Sequence, residues 1–180
     1  CQAFVPEDGY TLISSDYSQI ELRVLAHISK DPLLIETFLR NEDVHTTVAQ
    51  NIFGVSPGAV TQDMRRTAKV INFGIIYGMS AFGLSKELGI SQKEAQQYID
   101  GYFARHTGVK NYIEAITEEA RTKGFVKTLF GRIRFIPEIN NPDQMVRQLG
   151  QRTAMNTPIQ GTAADIIKMA MISISAKLKL

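Results

Sequence analysis

Arg65, Lys69, Phe73 and Tyr77 follow one another at four-residue intervals. On a wheel of about 100° per residue with Arg65 at zero, the other three fall at about 40°, 80° and 120° and share one face. Met64, Ala68, Ile71 and Ile75 fall between about 240° and 300°, where an apolar packing face is expected. A helix built this way carries a stripe about 18 Å long from guanidinium to phenol, roughly the reach of an extended nucleoside triphosphate. Arg forks onto phosphate oxygens, Lys adds a compact charge, and aromatic rings offer a face to a base or sugar. Ordinary exposed cations beside half-buried aromatics give the same spacing, so spacing leaves both readings open.

A second candidate lies at Asp16-Tyr17-Ser18-Gln19-Ile20-Glu21-Leu22-Arg23. Residues 10–15, with Thr11 and Ile13, read as a short strand that ends at Asp16. Strand ends hold side chains rigidly at clefts. A hard cation such as Mg²⁺ is held by one or two carboxylates plus substrate phosphates, so Asp16 is a candidate ligand, with the Tyr17 carbonyl beside it. A plain helix cap at Asp16 fits the spacing as well.

The elements that would position these groups are mostly helices. Ser18 with Glu21 has the form of a capping box, and Ile20, Leu22, Val24, Leu25 and Ile28 carry a helix to about residue 29. Asp31-Pro32 opens a short helix to about Arg40, and another spans Val44 to Phe53. Ser56-Pro57-Gly58 marks a turn. The striped helix runs from about Gln62 to Tyr77 and is interrupted at Gly78. Ala81 to Leu88 follows, closed by Gly89. Ser91 with Glu94 starts a helix to about His106, Thr107-Gly108 breaks it, and Val109 to Lys123 ends at Gly124. Phe125 to Leu129 and Ile133 to Ile136 read as a hairpin around Phe130-Gly131-Arg132. Two helices, about 143–156 and 159–178, are expected to join near Pro158. The fold class is α+β, mostly helical with a few antiparallel strands.

Composition bounds the function. A chain of 180 residues, 44% hydrophobic and 21% charged, buries a real core and is neither disordered nor fibrous. One cysteine makes neither an intrachain disulfide nor a Cys-based metal site, which points to a reducing, cytoplasmic setting. The apolar stretch Val70 to Met79, broken by Asn72 and Gly74, falls short of the roughly 20 residues that span a bilayer, so no membrane partner is expected. The start carries no signal-peptide pattern and reads as a cut inside a longer chain. The net charge of +2 does not by itself imply nucleic acid. Between residues 121 and 152, however, Arg121, Lys123, Lys127, Arg132, Arg134, Arg147 and Arg152 face only Glu138 and Asp143, which suggests a local basic surface.

The segment Asp16 to Arg23, together with Arg65, Lys69, Phe73, Tyr77 and Gly78, closely resembles two signature motifs of family A DNA polymerases, the bacterial polymerase I type. Thr128 to Arg132 and Asn156 to Asp165 resemble that family too, in the same order. The resemblance runs through essentially the whole chain. It implies a partial polymerase palm with fingers helices. Residues 1–40 would be a palm segment carrying the metal-binding aspartate, 41–124 the fingers, and 125–180 a return to the palm.

The resemblance implies DNA-directed transfer of deoxynucleotides from dNTP to a primer 3′-hydroxyl by two-metal catalysis. Asp16 would bind the catalytic Mg²⁺, with the Tyr17 carbonyl on one ion. Arg65 and Lys69 would grip the triphosphate, Lys69 also serving as a proton donor to pyrophosphate. His45 matches a position that touches the phosphates. Glu21, paired with Tyr77, would close off the space beside C2′ and exclude ribonucleotides. Phe73 would stack near sugar and base. Gln19, Arg152, Asn156 and Gln160 match positions that contact primer and template in the minor groove, where acceptors shared by all correct pairs are read. The partners implied are primer-template DNA, dNTP and the remainder of the polymerase chain. The helices from 62 to 106 would close over a correct nucleotide.

The family also carries a second metal-binding aspartate in a His-Asp-Glu motif, and here His27, His45 and His106 are followed by Ile, Thr and Thr. The chain alone is therefore expected to be inactive, and a nucleotide- and DNA-binding piece without chemistry remains the alternative. Phe73 offers no hydroxyl where some relatives carry Tyr, so dideoxy terminators should be poorly accepted. Phe73→Tyr in the complete polymerase should raise dideoxynucleotide incorporation in a primer-extension assay.

Overall fold

The computed structural model describes residues 4–178. Eight α-helices and one hairpin are found among them. They are α1 (Ile20–Ser29), α2 (Pro32–Leu39), α3 (Val44–Phe53), α4 (Gln62–Ile76), α5 (Ala81–Leu88), α6 (Gln92–Arg105), α7 (Thr107–Lys123), β1 (Phe125–Lys127), β2 (Ile133–Phe135) and α8 (Gln144–Leu178). The α+β, mostly helical architecture expected from the periodicity holds. Local chemistry explains most boundaries. Asp31, Asp43, Thr61, Ser80 and Ser91 each accept a backbone N–H at a helix start, and the Ser91/Glu94 capping box is complete. Gly54, Gly89 and Gly124 close α3, α5 and α7 in the left-handed conformation.

The main core collects Leu22 and Leu25 of α1, Leu34 of α2, Val44 and Val48 of α3, and Ala68, Ile71 and Ile75 of α4. Leu84 of α5, Tyr102 of α6 and Ile159 of α8 complete it. A smaller cluster joins Ile116 and Ala120 of α7 to Val126, Ile136, Ile139, Ala154 and Met155. The hairpin pairs Phe125 with Phe135, Val126 with Arg134 and Lys127 with Ile133. It is clamped to α8 by Arg132, which donates to Asp165 at 2.9 Å and to the Gly161 carbonyl at 2.9 Å.

Four local expectations are corrected. Residues 10–15 form no strand, because the β1–β2 hairpin is the only ladder among the described residues and a strand needs a partner for its backbone groups. Ser18 and Glu21 form no capping box: Gln19 precedes α1 in the left-handed region at φ 54°, and the Glu21 carboxylate reaches to α4 instead. The break between α6 and α7 falls at His106 rather than at Thr107-Gly108. The two C-terminal helices are one, with Pro158 inside it. Proline costs about 3 kcal/mol in a helix interior, but Ala154, Met155, Thr157, Pro158, Ile159, Thr162 and Ala163 are all buried there, and that burial holds the helix together.

The His106 joint is tied to the start of α2. Asp31 and His106 are almost completely buried, with His106 Nδ1 3.0 Å from Asp31 Oδ1, while the Gly108 N–H donates to Oδ2 at 3.1 Å and the Leu34 N–H to Oδ1 at 3.1 Å. A Cβ on Gly108 would sit 2.6 Å from the Asp31 Cα, so only glycine permits this approach. Burial alone would raise the Asp31 carboxyl, but the His106 hydrogen bond and the two backbone donors outweigh it and hold it below its ordinary value. A carboxyl lowered on folding stabilises above its unfolded pKa, and that contribution is lost as pH falls through the folded value. Asp31→Ala removes a cap and strands buried donors. It should cost about 3 kcal/mol, read as a lower denaturation midpoint at unchanged slope.

Candidate nucleotide site

The stripe is set by how α4 packs. Ala68, Ile71 and Ile75 are buried, which turns Arg65 and Lys69 outward and leaves Phe73 and Tyr77 half-buried. Phe73 and Tyr77 stack with centroids 6.0 Å apart and planes at 20°. The Tyr77 hydroxyl donates to Glu21 Oε2 at 2.7 Å, joining α4 to α1. Burial, and then the Glu21 carboxylate, push the Tyr77 phenol up to about 12, with the Gln160 side chain acting the other way. Glu21 of α1, Tyr77 at the C-cap of α4 and Gln160 of α8 therefore meet at one place.

Arg65 does not point freely into solvent. Its Nε donates to Asp43 Oδ2 at 2.8 Å and its Nη2 to Asp43 Oδ1 at 3.1 Å. Asp43 Oδ1 also accepts from Gln19 Nε2 at 3.2 Å, and Oδ2 accepts from the Thr46 N–H and hydroxyl at 3.0 and 2.7 Å. Burial by itself would raise the Asp43 carboxyl, but the hydrogen bonds from Arg65 and Thr46 hold it well below the usual carboxylate range. Lys69 is exposed and enters no ion pair among the described residues.

His45 is buried against Phe73, with centroids 5.8 Å apart, and its Nδ1 lies 3.1 Å from Asn72 Nδ2. Burial lowers the His45 pKa; Arg65 and Lys69 lower it further, against the raising charge of Asp43. On α8, Arg152 and Gln160 are exposed, and Asn156 is half-buried with its Oδ1 unpartnered. Arg152 passes directly over Gly78, where a Cβ would meet its Cγ at 2.8 Å; at φ +66° the position favours glycine twice over. Among the seven clustered cations, Arg121, Lys123 and Arg132 are paired with acids, so the basic surface is reduced to Lys127, Arg134, Arg147 and Arg152, which enter no ion pair among the described residues.

Asp16 stands apart from this group. It is exposed, and with Ser15, Tyr17, Ile167, Ala170, Met171 and Ile174 it lines a cleft of ≈ 320 Å³ against the C-terminal half of α8. Among the described residues no three His, Cys, Asp or Glu side chains gather to hold a metal ion. One open carboxylate beside the Tyr17 carbonyl fits the protein's share of a Mg²⁺ site that substrate phosphates complete. Sequence reasoning missed Asp43 and Asn72. Asp43 stands directly before α3 and could have been found as its N-cap; Asn72, a lone amide in an apolar run, gave only the hint of a buried polar group needing a partner.

The domain is mostly helical, with a cation-to-aromatic stripe along α4 and an acid–phenol pair at its foot. The chain belongs to DNA polymerase family A, whose family model matches residues 1–180. It is 55% identical to DNA polymerase I of Streptococcus pneumoniae serotype 4 over 98% of this chain and 20% of that protein. Against DNA polymerase I of Bacillus subtilis strain 168 the identity is 55%, over 99% of this chain and 20% of that protein. The POL domain of Pol1 from M. smegmatis, in complex with DNA primer-template and dNTP, superposes with a TM-score of 0.88 at 44% identity, covering 91% of this chain and 29% of that one. The chain thus spans about a fifth of the length of the curated relatives it matches.

Glu21→Gln should bring the Tyr77 phenol down from about 12 toward its ordinary 10, read by ultraviolet absorbance titration with Tyr77→Phe identifying the band. Because the folded value lies above the unfolded one, this contribution to stability is intact below about pH 10 and is lost as pH rises through about 12.

Proposed function

We propose that this chain is the nucleotide-selecting core of a DNA-directed DNA polymerase, which in the complete protein transfers deoxynucleotides from dNTP to a primer 3′-hydroxyl on a DNA template. The observation that carries this reading is the Tyr77–Glu21 hydrogen bond at the foot of the α4 stripe, with Gln160 beside it. A carboxylate fixed there fills the space beside C2′ and is crowded by a 2′-hydroxyl, so deoxy sugars are accepted and ribose is rejected. Phe73, stacked on Tyr77, offers a face to sugar and base, while Arg65 and Lys69 meet the triphosphate a few turns away. Lys69 carries a proton that it can pass to the pyrophosphate leaving group. His45, buried behind Phe73 and beside Asn72, is assigned to the phosphate side of the stripe.

Gln19, Arg152, Asn156 and Gln160 are assigned to primer and template, and the unpartnered Asn156 Oδ1 supports a role for that amide beyond the fold. Residues 1–40 and 125–180 are read as palm, and 41–124 as fingers. Asp16 and the Tyr17 carbonyl would hold Mg²⁺, which supplies charge stabilisation and activation of the primer hydroxyl when bound. The rest of a longer polymerase is the partner for the apolar surface at Phe4, Val5, Leu12 and Ile13 and at Met169, Met171, Ile172 and Ile174, all exposed. No helix among the described residues is long and apolar enough to cross a membrane. We place the protein in the cytoplasm, with the DNA it would copy. A second reading, a binding piece without chemistry, is favoured by the cleft at Asp16, whose lining holds no second carboxylate.

Spliced into a complete family A polymerase, this segment should support single-nucleotide primer extension with Mg²⁺, and Asp16→Ala should lower the rate by about three orders of magnitude. A folded splice that binds dNTP without extending primer would favour the second reading.

A further inference from the structure

Asp43 is the point where two side chains assigned to substrate converge. Its carboxylate accepts five hydrogen bonds, two from Arg65, one from Gln19 and two from Thr46. It is also the N-cap of α3, whose next residues Val44 and His45 are buried, so the carboxylate is fixed in place by the core. The Arg65 guanidinium docks by its Nε/Nη2 edge onto both Asp43 oxygens. That fork sets the plane of the group and uses two of its five N–H donors, leaving three for other oxygens. The Arg65 side chain remains 40% exposed. The negative charge of Asp43 is offset by Arg65 and by the α3 N-terminus, which reduces its repulsion toward a nearby phosphate.

We propose that Asp43 is a positioning residue for triphosphate recognition: it holds the Arg65 guanidinium by one edge so that the other edge meets the incoming phosphates. Through Gln19 it ties the same orientation to the start of α1. This inference rests on the assignment of Arg65 to the triphosphate. The opposite role, a carboxylate that captures Arg65 and must be displaced by substrate, predicts an effect of opposite sign.

The test is steady-state single-nucleotide incorporation by the full-length polymerase carrying this segment, comparing Asp43→Asn, Arg65→Ala and the double variant. Asn and Ser retain helix capping, so Asp43→Asn and a parallel Asp43→Ser should both fold, checked by thermal melting. Asp43→Asn should raise the KM for dNTP about tenfold while kcat changes less than about twofold, because the charged fork is lost. In the Arg65→Ala background the same substitution should add almost nothing. An unchanged or lowered KM in both Asp43 variants overturns the proposal, as does an undiminished effect when Arg65 is absent. If Arg65→Ala itself leaves the KM unchanged, the assignment of Arg65 to the triphosphate fails, and the role of Asp43 falls with it.

Discussion

The site depends on the burial of one side of α4. Ala68, Ile71 and Ile75 are held in the core, chiefly against α3, and each of the two buried isoleucines contributes about 1.5–3 kcal/mol. A helix so anchored keeps this face turned to the core. Arg65, Lys69, Phe73 and Tyr77 are therefore presented on the opposite side in a fixed order, cations first and aromatics last. The foot of the stripe is fixed a second time by the Tyr77–Glu21 bond, which ties the C-cap of α4 to α1.

Around this frame the structure relies on acidic N-caps that do more than cap. Asp43 starts α3 and gathers Arg65 and Gln19; Asp31 starts α2 and gathers His106 and Gly108. In each case a carboxylate that would be costly to bury is made favourable by several donors at once. A residue placed by local helix chemistry thereby becomes a link between elements far apart in sequence. Such links give side chains such as Arg65 a defined direction, and a side chain already ordered loses less entropy in any later contact.

Much of the fold could be read from local signals. Asp31-Pro32, Ser91 with Glu94, Gly89 and Gly124 fix helix ends through hydrogen bonds within a few residues, so they act the same way wherever the chain goes. The misreadings lie where tertiary surroundings, or the lack of a pairing partner, override a local signal. Glu21 leaves its capping box for the Tyr77 phenol, Pro158 stays inside a helix because its surroundings are buried, and residues 10–15 lack a ladder partner among the described residues.

The sequence alone determined the four-residue stripe, the pairing of its apolar and polar faces, and the motif resemblance that points to family A, because helical period and residue type are properties of contiguous chain. It did not determine what Arg65, His45 or Asp16 touch. Arg65 finds Asp43 across 22 positions and His45 finds Asn72 across 27, while Asp16 lies in a separate cleft beside the C-terminal half of α8. Those contacts join residues that no local rule connects, and only the packing of α1, α3, α4 and α8 brings them within hydrogen-bonding distance or holds them apart.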